Sequence, residues 1–237
     1  MSEPKVLIIV PAYNEEKTIS SVCSEIAASG YDFVVVNDGS SDSTPKILDD
    51  LKIPHIDLIS NLGIGGAIQT GYKYARYNNY DIAVQLDADG QHSVSCVKDI
   101  IQPIIDNKSD FVIGSRFIDK KSSSFHSTKL RRAGIYLISF IILLFSGKRI
   151  YDVTSGFRAA NKKVIEHFAE DYPPEYPEPV SEFDLMRHGY KILEVPVKMH
   201  ERKGGKSSIR SWKNGYYVIN VIISLFLIKL RRHKKDA

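Results

Sequence analysis

Cysteine is almost missing from this chain. Its 237 residues hold two, Cys23 and Cys96. They lie far apart and have no partners at metal-ligand spacing, which excludes a disulfide framework and a thiolate metal site. Both read as small buried apolar residues, and the chain as one that works in a reducing compartment. Also lacking is an unbroken run of ~20 apolar residues, the length a membrane-spanning helix needs. The opening "MSEPKVLIIVPAYNEE" has too short an apolar stretch for a signal peptide and passes straight into acidic residues, so the expected location is cytoplasmic. Internal repeats and low-complexity linkers are absent. So is a strong excess of one charge: 32 Lys and Arg against 28 Asp and Glu leave a formal +4. The basic residues are not interleaved along a broad face, as a nucleic-acid partner would require. They gather in the final "KLRRHKKDA", directly after an apolar run, an order suited to an anionic membrane surface.

What is present is an ordinary globular composition, 43% hydrophobic and 25% charged, enough for one large domain or two small ones. "VLIIV" (Val6–Val10), "FVVV" (Phe33–Val36), "IDLI" (Ile56–Ile59), "IAVQL" (Ile82–Leu86) and "FVI" (Phe111–Ile113) read as strands. The first two are apolar on both faces, as in a parallel sheet covered by helices. Between the strands, Ile19, Val22, Cys23 and Ile26 have helical spacing, and Ile68, Tyr72 and Ala75 repeat it. "STPKILDD" offers Thr44 as N-cap with Pro45 at the first helical position. This alternation predicts a doubly wound α/β sheet, whose ligands bind beyond the carboxyl ends of the strands. The loops at those ends are "PAYNEE", "NDGSSDST", "NLGIGG" and "DADGQH". Several polar loops on one edge describe a single site.

The second half is less regular. Residues 130–146, "LRRAGIYLISFIILLFS", have a basic start and an almost wholly apolar body. Residues 170–179, "EDYPPEYPEP", are proline-rich and read as loop. "YKILEVPVKMHE" reads as a strand broken near its end by Pro196, followed by the basic, glycine-rich "RKGGKSS" and the apolar "YYVINVIISLFLIKL". A helix lying in a membrane interface, anchored by Arg131, Arg132 and the basic tail, is the expectation for the two apolar segments. A buried core helix and, for the last segment, a true span are the alternatives. Removing everything after Asn214 is expected to release the chain from a membrane.

The stretch "QLDADGQH" carries the chemistry. Asp87 and Asp89 share a side if strand geometry continues past the apolar run, and Gln91 follows them. Two unpaired carboxylates so close repel each other, which raises a pKa or demands a cation. Mg²⁺ or Mn²⁺ suits: hard, oxygen-seeking and completed by waters and substrate phosphates. The cluster then reads as one half of a diphosphate site. A calcium loop of the EF-hand type fails, because its sixth and twelfth positions would fall on His92 and Lys98. A solvated acidic turn is the plainer rival, and His92 reads as a hydrogen-bonding neighbour rather than a ligand. "NLGIGGAIQTG" is not a dinucleotide fingerprint, since Ile68 stands where the third glycine belongs and the segment follows the third strand. Its glycines, Gly63 and Gly66 among them, still let backbone N–H groups approach a ligand at a helix start.

"VPAYNEE", "VVVNDGSSDST", "NLGIGGAIQTG", "LDADGQH", "IGSRF" and "DVTSGFRA" occur in the order found in family 2 glycosyltransferases with the GT-A fold. The resemblance runs from Val6 to Ser208 and is strongest to the branch containing dolichyl-phosphate mannose synthase and bacterial polyprenyl-phosphate glycosyltransferases. It implies an α/β GT-A fold: a Rossmann-like, mostly parallel sheet between helices, with membrane-associated helices at the C-terminal end. It implies that Pro11, Ala12, Tyr13, Glu15 and Asp38 hold base and ribose, and that Asp87, Asp89 and Gln91 match the metal-binding "DxDxQ", with Ala88 beside the donor. Arg116 and Arg131 match residues that meet acceptor phosphate, and Ser155 and Arg158 lie beside sugar and phosphates. Arg202, Lys206 and Ser207 match a mobile loop over the diphosphate.

The reaction implied is inverting transfer of a hexose from a UDP-, GDP- or dTDP-sugar to a polyprenyl phosphate. That nucleophile is already anionic and needs no general base. The expected setting is peripheral, on the cytoplasmic face of the membrane. If the acceptor is instead the hydroxyl of a lipid-linked saccharide, a carboxylate must take its proton, and "EPVSEFDLMRHGY" offers Glu178, Glu182 and Asp184, with Asp152 a further candidate. A non-catalytic nucleotide-sugar-binding scaffold is the remaining alternative. The expected division is a GT-A domain over residues 1–210, with a nucleotide-sugar half 1–115 and an acceptor half 116–210, followed by a membrane-associating helix and basic tail over 211–237.

Overall fold

Seven residues of the first strand are all buried, and their alternation explains the layers. Leu7 and Ile9 enter one apolar cluster while Ile8 and Val10 enter another. A strand buried on both sides needs helices over both faces, and the computed structural model supplies them. It describes residues 3–118, 129–197 and 213–230. Strands β1 (Val6–Ala12), β2 (Asp32–Asn37), β3 (His55–Asp57), β4 (Ile82–Gln85), β5 (Phe111–Ser115), β6 (Arg158–Asn161) and β7 (Ile192–Pro196) form one sheet of order β3-β2-β1-β4-β6-β5-β7. All pairings are parallel except those of β6, which runs antiparallel to both β4 and β5.

Helices α1 (Ile19–Ser29), α2 (Thr44–Asp50) and α4 (Val97–Ile105) cover one face. On the other lie α3 (Gly63–Tyr77), α5 (Lys129–Ser146), α6 (Lys162–Glu170), α7 (Pro177–Arg187) and α8 (Lys213–Leu230). The helical spacing read from the sequence is the burial pattern observed. Ile19, Val22, Cys23 and Ile26 are the buried residues of α1, and Ile68, Tyr72 and Ala75 are buried in α3.

Several local expectations need correction. Thr44 is not the N-cap of α2: Ser43 holds that place, and the Thr44 N–H donates to Asp42 Oδ1 at 2.9 Å. The third strand stops at Asp57, leaving Ile59 fully exposed. The proline-rich run is not all loop, because Pro177 opens α7, where the first turn has no use for its missing N–H. Pro196 ends β7 on the sheet's edge, as its place in the sequence leads one to expect. Strand β6 was not foreseen.

α5 and α8 lie side by side and point the same way. Gly134 sits against Val218 near one end, and Lys229 Nζ lies 4.1 Å from the Phe145 ring near the other. Each buries one stripe in the same core cluster, through Ile135, Ile138 and Ile142 in α5 and Val221 and Leu225 in α8. Their opposite stripes face water. Among the described residues no helix is long and apolar enough to cross a membrane. Eighteen residues of α8 reach about 27 Å at 1.5 Å per residue, short of a ~30 Å hydrocarbon core.

Candidate active site

The parallel strands β1 to β5 end on one edge. Because β6 runs the other way, the loop before it, residues 152–157, arrives on that same edge. This one reversal brings the second half of the chain to the loops of the first.

Loops after β1 and β2 are tied together. Asn14, at φ 56°, accepts the Ser41 N–H at 2.8 Å through Oδ1 and donates its own N–H to Ser40 Oγ at 2.9 Å. The Glu15 N–H donates to Thr44 Oγ1 at 2.9 Å. Pro11 and Ala12 are buried at the end of β1, while Tyr13 is half exposed and available to stack on a flat ligand. Asp38 is buried, and Oδ1 accepts the Leu62 N–H at 2.7 Å, so it pins the start of α3 to the second loop. Burial pushes its carboxyl up, against the pull of the Leu62 and Gly63 N–H groups. Gly63 adopts φ 78° and begins α3 at this edge, with Gly66 one turn on packed against Leu62.

Strand β4 ends at Gln85, and residues 87–90 form a turn closed by Gly90 at φ 73°. Strand alternation therefore does not position the two aspartates; the turn does. Asp89 is buried and accepts the Gln91 N–H at 2.9 Å through Oδ1. Asp87 is partly exposed, with His92 Nε2 3.4 Å from Oδ2. His92 is itself held flat against Phe157, ring centroids 5.1 Å apart. A Cβ on Gly156 would lie 2.6 Å from Asp87 Oδ2, so the glycine of "TSGFR" is where this carboxylate rests. Asp87, Asp89 and the Gln91 side chain offer oxygen donors only, the set that suits Mg²⁺ or Mn²⁺.

Behind the turn stand two buried ion pairs. Arg116 grips Asp152 with Nε at 2.7 Å and an η nitrogen at 2.6 Å, and its backbone N–H adds a third bond to the same carboxylate at 2.9 Å. Burial opposes the Arg116 charge, but Asp152 and then Asp87 outweigh it and raise its pKa. Asp152 is fully buried, its own N–H held by Glu194 at 2.9 Å. Arg158 donates to Glu182 at 2.6 Å, to Ser181 at 3.0 Å and to the Ser155 carbonyl at 2.6 Å. Ser155 turns its hydroxyl to the Gly114 carbonyl at 2.6 Å.

These contacts alter the expected roles. Asp152, Ser155, Arg158 and Glu182 are each at most 1% exposed and hold one another and the loop, so none presents its polar group to the cleft. Glu182 is fully buried against Arg158, whereas Glu178 is partly buried, its pKa raised by burial first, with Arg158 opposing and Asp87 adding. Arg131 belongs to α5, but its side chain lies outside the described residues, as do Arg202, Lys206, Ser207 and the tail after Leu230. Asn14, Gly156 and Glu194 were not singled out from the sequence. The first two sit inside recognised motifs, whereas Glu194 reaches Asp152 from 42 residues away and carries no local signal.

A mixed seven-stranded sheet with acidic turn, glycine-bearing helix start and reversed sixth strand on one edge is a GT-A architecture. Glucosyl-3-phosphoglycerate synthase from Mycobacterium tuberculosis, solved with Mn²⁺, UDP and glucosyl-3-phosphoglycerate, shares it: TM-score 0.72 and 18% identity, over 98% of this chain and 82% of that one. A family model, "Glycosyl transferase family 2", matches residues 7–168, and the chain belongs to that family. It is 35% identical to a UDP-N-acetylglucosamine–dolichyl-phosphate N-acetylglucosaminyltransferase of Methanococcus voltae, covering 84% of this chain and 86% of the relative. It is 27% identical to an undecaprenyl-phosphate mannosyltransferase of Micrococcus luteus, with 92% of each covered.

Proposed function

We propose that this glycosyltransferase moves a hexose from a nucleotide sugar to a polyprenyl phosphate, with inversion, at the cytoplasmic surface of a membrane. The two relatives named above act on dolichyl and undecaprenyl phosphates by their names, which supports the acceptor. The observation that carries it is the outer surface of α5 and α8. Tyr136, Leu137, Phe140 and Leu144 of α5, and Tyr216, Ile219, Ile223, Phe226, Leu227 and Leu230 of α8, are 46–67% exposed. On each helix they fall within a stripe about 100° wide, opposite the buried one. Soluble monomers seldom leave so much contiguous apolar surface in water, and a lipid surface is the partner that suits it. Lys129, Arg131 and Arg132 at the head of α5 and the basic residues after α8 supply cations for anionic headgroups and for the acceptor phosphate.

In this mechanism the lipid phosphate oxygen attacks the anomeric carbon from the face opposite the departing nucleoside diphosphate. The nucleophile is an anion, so no side chain has to remove a proton. Pro11, Ala12, Tyr13 and the laced β1 and β2 loops hold the nucleoside, and the start of α3 presents Gly63 and Gly66 to the donor. Asp87, Asp89 and Gln91 would hold Mg²⁺ or Mn²⁺, which when bound stabilises charge on the leaving diphosphate, several kcal/mol in order of magnitude. Arg116, kept charged by Asp152, adds positive field beside Asp87.

A second reading has one observation in its favour. Transfer to a saccharide hydroxyl would need a base, and Glu178, partly buried and within the field of Asp87, is placed to serve. The test incubates the purified protein with Mn²⁺, radiolabelled UDP-, GDP- and dTDP-hexoses, and polyprenyl phosphate or a lipid-linked saccharide. Label in an acid-labile, base-stable lipid is expected. Transfer to the saccharide alone would replace this reading with the second, and Glu178→Gln would then abolish it.

A further inference from the structure

The geometry points to a second metal site on this chain, built from His167, Asp184 and His188 and suited to Zn²⁺. One ligand atom from each of the three lies within 4.8 Å of the others. His167 comes from the last turn of α6, while Asp184 and His188, one turn apart, come from the end of α7. His167 Nε2 is 2.7 Å and His188 Nδ1 3.5 Å from the same oxygen, Asp184 Oδ2. The two imidazoles lie with centroids 4.7 Å apart and planes tilted by 60°, and Tyr190 closes one side with its ring 5.6 Å from His167. All three residues are accessible, with side chains 18%, 24% and 41% exposed, so an ion can enter and a water can complete the shell.

This cluster is separate from the carboxylate turn. Lys191, next to Tyr190, donates its N–H to Asp110 at the start of β5, which is the amino edge of the sheet and opposite the site described above. The donor sets differ as well. Two imidazoles and one carboxylate favour Zn²⁺, Co²⁺ or Ni²⁺, whereas Asp87, Asp89 and Gln91 favour Mg²⁺ or Mn²⁺. The adjustment required is small. Tetrahedral zinc with bonds of about 2.1 Å sets neighbouring ligand atoms ~3.4 Å apart, so the His167–Asp184 pair, now at 2.7 Å, opens by roughly 0.7 Å as the metal replaces their shared proton. Ligation through Nδ1 of His188 also gives up its 2.9 Å contact with the Asp184 carbonyl. The bound ion would join α6 to the end of α7 where the His167–Asp184 contact already bridges them.

The test uses tag-free full-length protein, so that no added histidines bind metal. Zn²⁺ binding is measured by competition with a chromophoric chelator, and Co²⁺ binding by its visible absorption. The comparison is between wild type, His167→Ala/His188→Ala, Asp184→Asn and Asp87→Asn. One zinc equivalent is expected in wild type and in Asp87→Asn, with affinity at least ~100-fold lower in the other two. Zinc at 100 times its dissociation constant should raise Tm by roughly 5–10 °C in wild type and not in Asp184→Asn. Asp184→Asn keeps the shape of the side chain, which guards against misreading a folding defect of the double variant. Equal zinc affinity and stoichiometry in wild type and Asp184→Asn would overturn the proposal, as would no zinc binding by wild type.

Discussion

A methyl group added to Gly156 would sit 2.6 Å from one Asp87 oxygen and 2.9 Å from the other. What it meets is the far end of a flexible side chain, so the fold can survive while the carboxylate is displaced. Gly156→Ala should therefore melt within a few degrees of wild type yet lose divalent-metal affinity and turnover together, about 10²-fold in turnover. Normal activity in that variant would mean that Asp87 works from another position. Glu182 makes a prediction about pH. Burial pushes its carboxyl well above the usual value of 4.5, with the Arg158 guanidinium pulling the other way. A raised folded-state pKa means that the folded chain holds the proton more tightly than the unfolded one. Its contribution is full below the unfolded value and is lost as pH climbs through the folded one. Glu182→Gln has no such slope. As pH rises above the usual carboxylate range the difference in urea midpoint should move in the variant's favour, and a constant difference would refute the assignment.

At the scale of elements, legibility followed the strength of the repeating pattern. Four apolar residues at helical spacing in α1, and an unbroken apolar run in β1, leave little freedom in how each can be buried. β6 had no such pattern: "RAAN" contains no β-branched residue, and its strand form comes from the β4 and β5 edges between which it lies. The site divided along the same line. The carboxylates stood out because charge follows an apolar run, but the turn that positions them depends on Gly90 and His92 of its own segment and on Gly156, which arrives from a loop 64 or more residues further along the chain. The outer stripes of α5 and α8 can be tested on their own. Phe140→Glu and Phe226→Glu change side chains that are 57% and 51% exposed, so thermal stability should hold. Binding to anionic vesicles should fall about tenfold or more for each, given ~1.5–3 kcal/mol for burying such a ring. Vesicle binding equal to wild type in both would remove these stripes as the contact surface.

For the molecule as a whole, α8 packs one side of itself into the core. Val221 and Leu225 are fully buried in the main core cluster, and Asn220 donates to the Tyr176 hydroxyl at 3.3 Å. Cutting after Asn214 uncovers that core, so the truncated protein should aggregate instead of passing cleanly into solution, contrary to what the sequence suggested. The sequence alone does not separate the two outcomes, because an apolar helix has the same pattern whether one stripe or both are covered by protein. The intact chain offers a better test of how it meets a membrane. Its excess charge is only +4, but Lys129, Arg131 and Arg132 fall in the first turn of α5 and Lys148 and Arg149 just after its end, and the sequence beyond Leu230 carries further basic residues. Apolar stripes give an attraction that salt does not screen, whereas clustered cations give one that fades as the Debye length falls from ~10 Å at 0.1 M to ~3 Å at 1 M. Vesicles of neutral lipid should therefore bind the protein weakly, and anionic vesicles more strongly. Added salt should bring the anionic case down to the neutral level but no further. Complete release by salt would leave the apolar stripes without a role at the membrane. Binding that ignores both lipid charge and salt would do the same for the basic clusters.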